Sequence, residues 1–402
     1  MKRPSLGPAF LVTAAFVGPG TVITCTMAGA NFGFALIWAL VFSVIATIVL
    51  QQMTARLGIV TQQGLGENIR ETFTSPWAKF LSATLVISAV VIGNGAYQGG
   101  NIAGASLGLS ALFGDLGMQF SIWPIVIGAT AFLLLFTGSY KFIEKALMVL
   151  VGLMSLSFVV TAVLVKPDIG ALLAGMFIPS LPDGATLTII ALIGTTVVPY
   201  NLFLHASSVS KKWQKPEQIA EANQDLYISI PLGGVLSIAI VSTAATAFFG
   251  TQLQIQSAAD IAPALQPLFG DAATWFISIG LFCAGISSSI TAPLAAAFAL
   301  SGVLNLSNEV NARSFKSIWF IILVIGVVPA VIGYKPISII WFAQVANGLM
   351  LPLLALFLLW LMNNKKLGEH RNNSAQNVLG SAVVAVSILL SGRSLMSAFG
   401  LL

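Results

Sequence analysis

Two short stretches carry the residue types that could do chemistry deep in this apolar chain. They are Val17-Gly18-Pro19-Gly20-Thr21 and Val197-Val198-Pro199-Tyr200-Asn201. Each sets a proline within a long apolar run, with a small polar side chain two residues on. Proline has no N–H to donate and clashes with the preceding helical turn. The glycines flanking Pro19 leave the backbone there free to turn. In hydrocarbon a freed backbone group costs roughly several kcal/mol unless protein or a cavity satisfies it. Breaks at this depth are therefore expected to line a binding site.

The polar groups near these breaks are neutral: Thr21, Thr24, Asn201, Gln344 and Asn347, with Asn94, Tyr97, Gln98 and Asn101 in one span and Ser287, Ser288, Ser289 and Thr291 in another. A cavity of hydroxyls, amides and freed carbonyls suits a neutral polar solute, a zwitterion or a weakly held cation. The N-terminal ends of half-helices after each break favour an anionic group. None of the 13 carboxylates falls near the middle of a span, whereas divalent manganese or magnesium ordinarily requires carboxylate or a retained water shell. His205, four residues after Asn201, lies on the same helical face. It can carry a proton, or it can hold its helix to a neighbouring carbonyl. Cys25 is either a soft ligand beside Thr21 or a packing residue. No nucleophile–base pair, metal cluster or phosphate loop is present, so neither an enzyme nor a cofactor is expected.

The elements that position these residues are membrane helices. The chain has 402 residues, 57% hydrophobic and 8% charged, against about 25% charged in a soluble domain. Spans of roughly 20 apolar residues are predicted at 8–32, 34–57, 77–112, 119–138, 143–165, 185–210, 226–250, 272–304, 315–333, 336–362 and 376–398. The longest hydrophilic stretch is 211–225, and the basic N-terminus reads as the start of a retained span. With the N-terminus in the cytoplasm, 15 of the 18 Lys and Arg residues fall inside and only Lys166, Lys335 and Arg393 outside. The C-terminus is then external. The positive charge is spread over short loops, which excludes a nucleic-acid face. Cys25 and Cys283 both lie in apolar runs and form no disulfide framework.

The two proline breaks open two sets of five spans. Five is odd, so the second set must be inverted relative to the first. This is the pattern of an inverted-repeat secondary transporter with its site between two broken helices. We expect a single transmembrane domain over 1–402: a first repeat at 1–170, a second at 180–362 and an extra helix at 376–398.

Five segments resemble the NRAMP family of divalent-metal transporters: GPAFLVTAAFVGPG at 7–20, RLGIVTQQGLGENIRE at 56–71, VPYNLFLHAS at 198–207, GLFCAGISSSITAPLAAAFALSGVL at 280–304 and FAQVANGLMLPLLALFLLW at 342–360. The resemblance implies an all-α integral membrane protein of LeuT-type fold. It has a 5+5 inverted repeat plus one helix, 11 transmembrane helices in all, with the first and sixth broken. It also implies proton-coupled import of manganese or iron, and a central site faced by Thr21, Asn201 and Gln344, with Gly18, Gly20, Val198, Tyr200 and Asn347 around it. His205 matches the second histidine of the family's sixth helix. The departures are specific. The family's Asp-Pro-Gly-Asn is here Gly18-Pro19-Gly20-Thr21, and its Met-Pro-His-Asn is Val198-Pro199-Tyr200-Asn201. The acidic residues of its third helix are absent from 94–101.

Function resides in the site rather than the fold. The expectation is thus an NRAMP-like secondary transporter, working by alternating access, whose substrate is not manganese or iron. The runner-up is a proton-coupled importer of a divalent cation (Mn, Fe or Mg type) using Asn201, Gln344, Cys25 and backbone carbonyls. A non-transporting receptor on the same fold is a third reading. A monomer in a bacterial inner membrane is expected.

Overall fold

The computed structural model describes residues 7–72, 75–114, 121–138, 141–251 and 255–398. Lys2, Arg3 and Asp115, used above to place charge, lie outside the described residues, as do the side chains of Lys141, Glu144 and Lys145. The described chain is helical: α1 (Pro8–Phe16), α2 (Pro19–Phe32), α3 (Ile37–Thr61), α4 (Leu65–Thr72), α5 (Pro76–Ser88), α6 (Asn94–Phe113), α7 (Trp123–Thr137), α8 (Lys141–Leu164), α9 (Ile169–Phe177), α10 (Thr186–Thr196), α11 (Pro199–Lys212), α12 (Ile219–Phe248), α13 (Gln266–Phe269), α14 (Ala273–Leu304), α15 (Arg313–Val331), α16 (Pro336–Leu361) and α17 (Ser374–Ala398).

Proline at the start of a helix explains much of this layout. Pro8, Pro19, Pro199 and Pro336 each open a helix, and Pro124 is the second residue of α7. The first helical N–H groups have no intrahelical acceptor, so a proline forfeits nothing there and its fixed φ suits the turn. It also drives the preceding residue to extended backbone. Gly18 (ψ −172°) and Val198 (ψ 124°) obey. The first break is therefore Val17–Gly18, with Pro19 and Gly20 already in α2, rather than the whole triplet expected from sequence. The two half-helices meet at a 55° bend.

Nine helical stretches among the described residues are long and apolar enough to span a bilayer, and the bent α1–α2 pair makes ten. The span predicted at 119–138 is shorter: α7 has 15 residues, about 22 Å of rise against roughly 30 Å of hydrocarbon. The third span is helical throughout but passes through a π-helical segment, Ala89–Gly93, between α5 and α6. The seventh begins at Ile219, so much of the hydrophilic stretch 211–225 is helix. Short helices α4, α9 and α13 occupy connections where no element was predicted.

The core lies around the broken helices. The α10–α11 stretch, 186–212, is buried over most of its length, whereas most of α15 is not. This places α10 and α11 centrally and α15 at the lipid-facing edge. Glycines let α6 run through the middle. Gly108 packs on the backbone of α14 near Ser278, Gly104 on Pro19, and Gly100 on α16 at Ala343.

Candidate functional site

At the first break the carbonyls of Ala15 and Phe16 lose their helical partners, because α1 ends at Phe16. Three side chains take them over. The Tyr97 hydroxyl donates to the Ala15 carbonyl at 3.1 Å and Tyr200 reaches it at 3.5 Å. Thr21 donates to the Phe16 carbonyl, and its Oγ1 is 2.7 Å from that of Thr195 in α10. The two tyrosine rings stand edge to face at 5.3 Å, the arrangement that aromatic quadrupoles favour. Both breaks are thus tied together through Thr21–Thr195 and Tyr97–Tyr200.

Gly18 has ordinary extended backbone (φ −123°), so no left-handed conformation requires glycine. Its lack of a side chain matters for space. A Cβ there would lie 3.2 Å from Ser288 Oγ and 3.6 Å from Tyr97 Oη. The side-chain direction of residue 18 therefore ends on two neutral hydroxyls.

Gln344 stands where both halves converge. A Cβ at Gly20 would overlap its amide, and one at Gly194 in α10 would overlap its backbone carbonyl. Gly100 of α6 lies against the same amide, with Nε2 4.0 Å from the position of a Cβ. Asn347, one turn on, has its Oδ1 3.5 Å from the Cβ position of Gly93 in the π segment. Asn201 and Asn347 have both amide atoms buried without a hydrogen-bond partner among the described residues, as has Asn94. Gln344 Oε1 and Thr24 Oγ1 are likewise unpartnered. Such groups carry a desolvation penalty of about 1–3 kcal/mol each, and orphaned amides facing a chain break are what a ligand or water would satisfy.

The sequence-predicted residues divide accordingly. Gly18, Gly20, Tyr200, Gln344 and Asn347 come together at the breaks, with Val198 buried beside them in the α10–α11 connection and Asn201 buried in the first turn of α11. Thr21 is there, but its hydroxyl is committed to holding the hinge. Cys25 is turned elsewhere, its thiol against Ser237 of α12. His205 faces α3, with Nδ1 3.4 Å from Thr54 Oγ1, while Nε2 has no partner among the described residues. Gln98 donates to the Ser289 carbonyl at 3.2 Å, and Asn101 leans on Gln98 Oε1 at 3.4 Å. That polar cluster joins α6 to α14.

Two charged residues assigned to loops or span ends prove to be buried. Asp225 is the one buried carboxylate among the described residues and caps α1. Arg56 lies in α3 with its guanidinium on Asn372 and on Gln376 Oε1 (2.6 Å). Only an unexpected acid ahead of an apolar run, or a base within one, could have signalled either. No group of three or more His, Cys, Asp or Glu side chains that could hold a metal occurs among the described residues.

The model of the natural resistance-associated macrophage protein-like family matches residues 9–397. The divalent metal cation transporter MntH of Yersinia pestis is 29% identical over 99% of this chain and 96% of its own length. That of Caldanaerobacter subterraneus is 27% identical over 96% and 91%. Among solved structures, a form of the manganese transporter of Eremococcus coleocola superposes with a TM-score of 0.79 at 21% identity, covering 98% of this chain and 86% of that one. The fold recurs in MhsT bound to L-phenylalanine, at a TM-score of 0.64, 15% identity and coverages of 97% and 98%. The helical architecture is therefore that of the LeuT-type transporters, and the match over almost the whole chain makes this protein a member of the NRAMP family.

Proposed function

We propose that the protein is a secondary-active transporter, working by alternating access, whose central site takes a solute of low charge density in place of dehydrated manganese or iron. The observation that carries this reading is at Gly18. The side-chain direction there leads to Tyr97 and Ser288, and the Ala15 carbonyl nearby already receives a phenol proton. Stripping water from a divalent ion without a compensating anion is very costly, and amides and hydroxyls do not supply that anion. The unpartnered amides of Asn201, Gln344 and Asn347 each offer a donor, an acceptor or both. They suit a small polar solute that does the same.

The names of the relatives favour a second reading. MntH proteins are called divalent metal cation transporters, and a cation keeping its water shell could be held by amides and carbonyls. Proton coupling through His205 would belong to this reading. Uptake of manganese into proteoliposomes under an inward proton gradient separates the two. We expect no saturable uptake. Saturable, micromolar-affinity uptake overturns the first reading and establishes the second.

A further inference from the structure

The short half-helix α1 is held at its N-terminal end by a carboxylate from a distant helix, Asp225 of α12. Asp225 Oδ1 accepts from the Gly7 N–H at 3.1 Å and Oδ2 from the Ala9 N–H at 2.9 Å. Pro8 between them has no N–H, so the carboxylate takes both free donors at this end. Ser229 Oγ, one turn along α12, is 3.3 Å from Oδ1 and steadies the carboxylate. An anion at a helix N-terminus gains from the helix dipole, and charge-assisted hydrogen bonds are roughly twice as strong as neutral ones. Gly7 is extended (φ −124°, ψ −163°), a conformation open to any residue. A Cβ there would overlap the Asp225 carboxylate and crowd the Lys212 ammonium beside it. The glycine is what lets the acid approach.

The rest of α1 is a short rod, buried along the face that packs on Gly233 of α12 through Thr13 and Phe16. It has nine residues. Its inner end is the non-helical Val17–Gly18 joint. Along one flank it borders an apolar cavity of about 300 Å³, walled by Phe10 and Ala14 of α1, Val17 of the joint, Met148 and Leu156 of α8 and Leu236 of α12. A nine-residue rod with a joint at one end, a cavity beside it and a carboxylate clamp at the other is a hinged element with a latch.

We propose that Asp225 is a positioning residue of the transport cycle: it latches α1 shut, and release of the Gly7 and Ala9 N–H groups lets α1 swing about Val17–Gly18 and open the central site. The inference does not depend on which solute is carried, because it concerns the gate and not the cargo.

Cys25 and Cys283 are both buried, so a thiol introduced by Ala14→Cys on the cavity flank can report the position of α1. The full-length protein is reconstituted in lipid and treated with a membrane-permeant maleimide. Asp225→Ala should raise the labelling rate at position 14 several-fold, Asp225→Asn by less, and Gly7→Ala, which crowds the carboxylate, comparably to Asp225→Ala. If Asp225→Ala fails to fold, Asp225→Asn and Gly7→Ala decide the matter. Unchanged labelling in folded variants overturns the latch, as does a lowered Tm without any rise in labelling, which marks a purely structural cap. Manganese uptake plays no part in the assay, so its result and this one are read separately.

Discussion

A hydroxyl has one proton to give, and Thr21 gives its proton to the hinge. It bonds the last carbonyl of α1 and meets Thr195 from the other half. Thr21→Val keeps the shape and removes both contacts. We expect it to destabilise the fold by about 1–3 kcal/mol, the range for a buried polar group left unsatisfied, whereas Thr21→Ser should be close to neutral. Thermal unfolding of the purified protein measures this, and equal Tm values for the valine and native forms would contradict the hinge bond. The residue type of Thr21 marked it correctly as belonging to the break, but its role as tie rather than ligand depends on a partner 174 residues away. No local pattern encodes that pairing. The same holds for Tyr97, whose acceptor is the carbonyl of Ala15, 82 residues earlier.

At the scale of elements, the π segment Ala89–Gly93 sets how the polar face of α6 is presented. A π turn accommodates one extra residue in an α-helix and tends to mark functional sites. Here the amide N–H of Asn94 is shared between the carbonyls of Val90 and Val91, and Gly93 faces Asn347. Deleting Ile92, which is exposed, should restore a regular helix while keeping the faces of α5 and α6. The deletion variant is expected to fold with a near-native Tm yet lose transport of whatever solute the wild type carries. Retained transport would show that the π turn has no part in the site. Apolar runs and proline positions made the long helices readable. They could not reveal this segment, because a π turn and an α turn have the same composition. They also could not reveal α4 or α9, which are too short for a span to be inferred.

For the whole molecule, the arrangement of Lys and Arg predicts an internal N-terminus and an external C-terminus. A C-terminal fusion to alkaline phosphatase should be active and a fusion to green fluorescent protein dark; the reverse pattern would mean that one span has been miscounted, with the 15-residue α7 the first to re-examine. The all-helical transporter fold was legible from the run of apolar spans and the two Val-x-Pro joints. The chemistry between the halves was legible only as a list of types. Which carbonyls are capped, and which amides stay open, depends on contacts between α2, α6, α10 and α16 that no single stretch of chain specifies.

Arg56 carries a consequence for the last span. Its guanidinium lies buried in α3, and its partners Asn372 and Gln376 come from 316 and 320 residues further along, at the start of α17. They are amide oxygens, not carboxylates, so what α17 supplies is the equivalent of hydration for a cation withdrawn from water. The last described helix thus acts as solvent for α3. Removing α17 would strip the Arg56 guanidinium of the amide oxygens that stand in for its hydration.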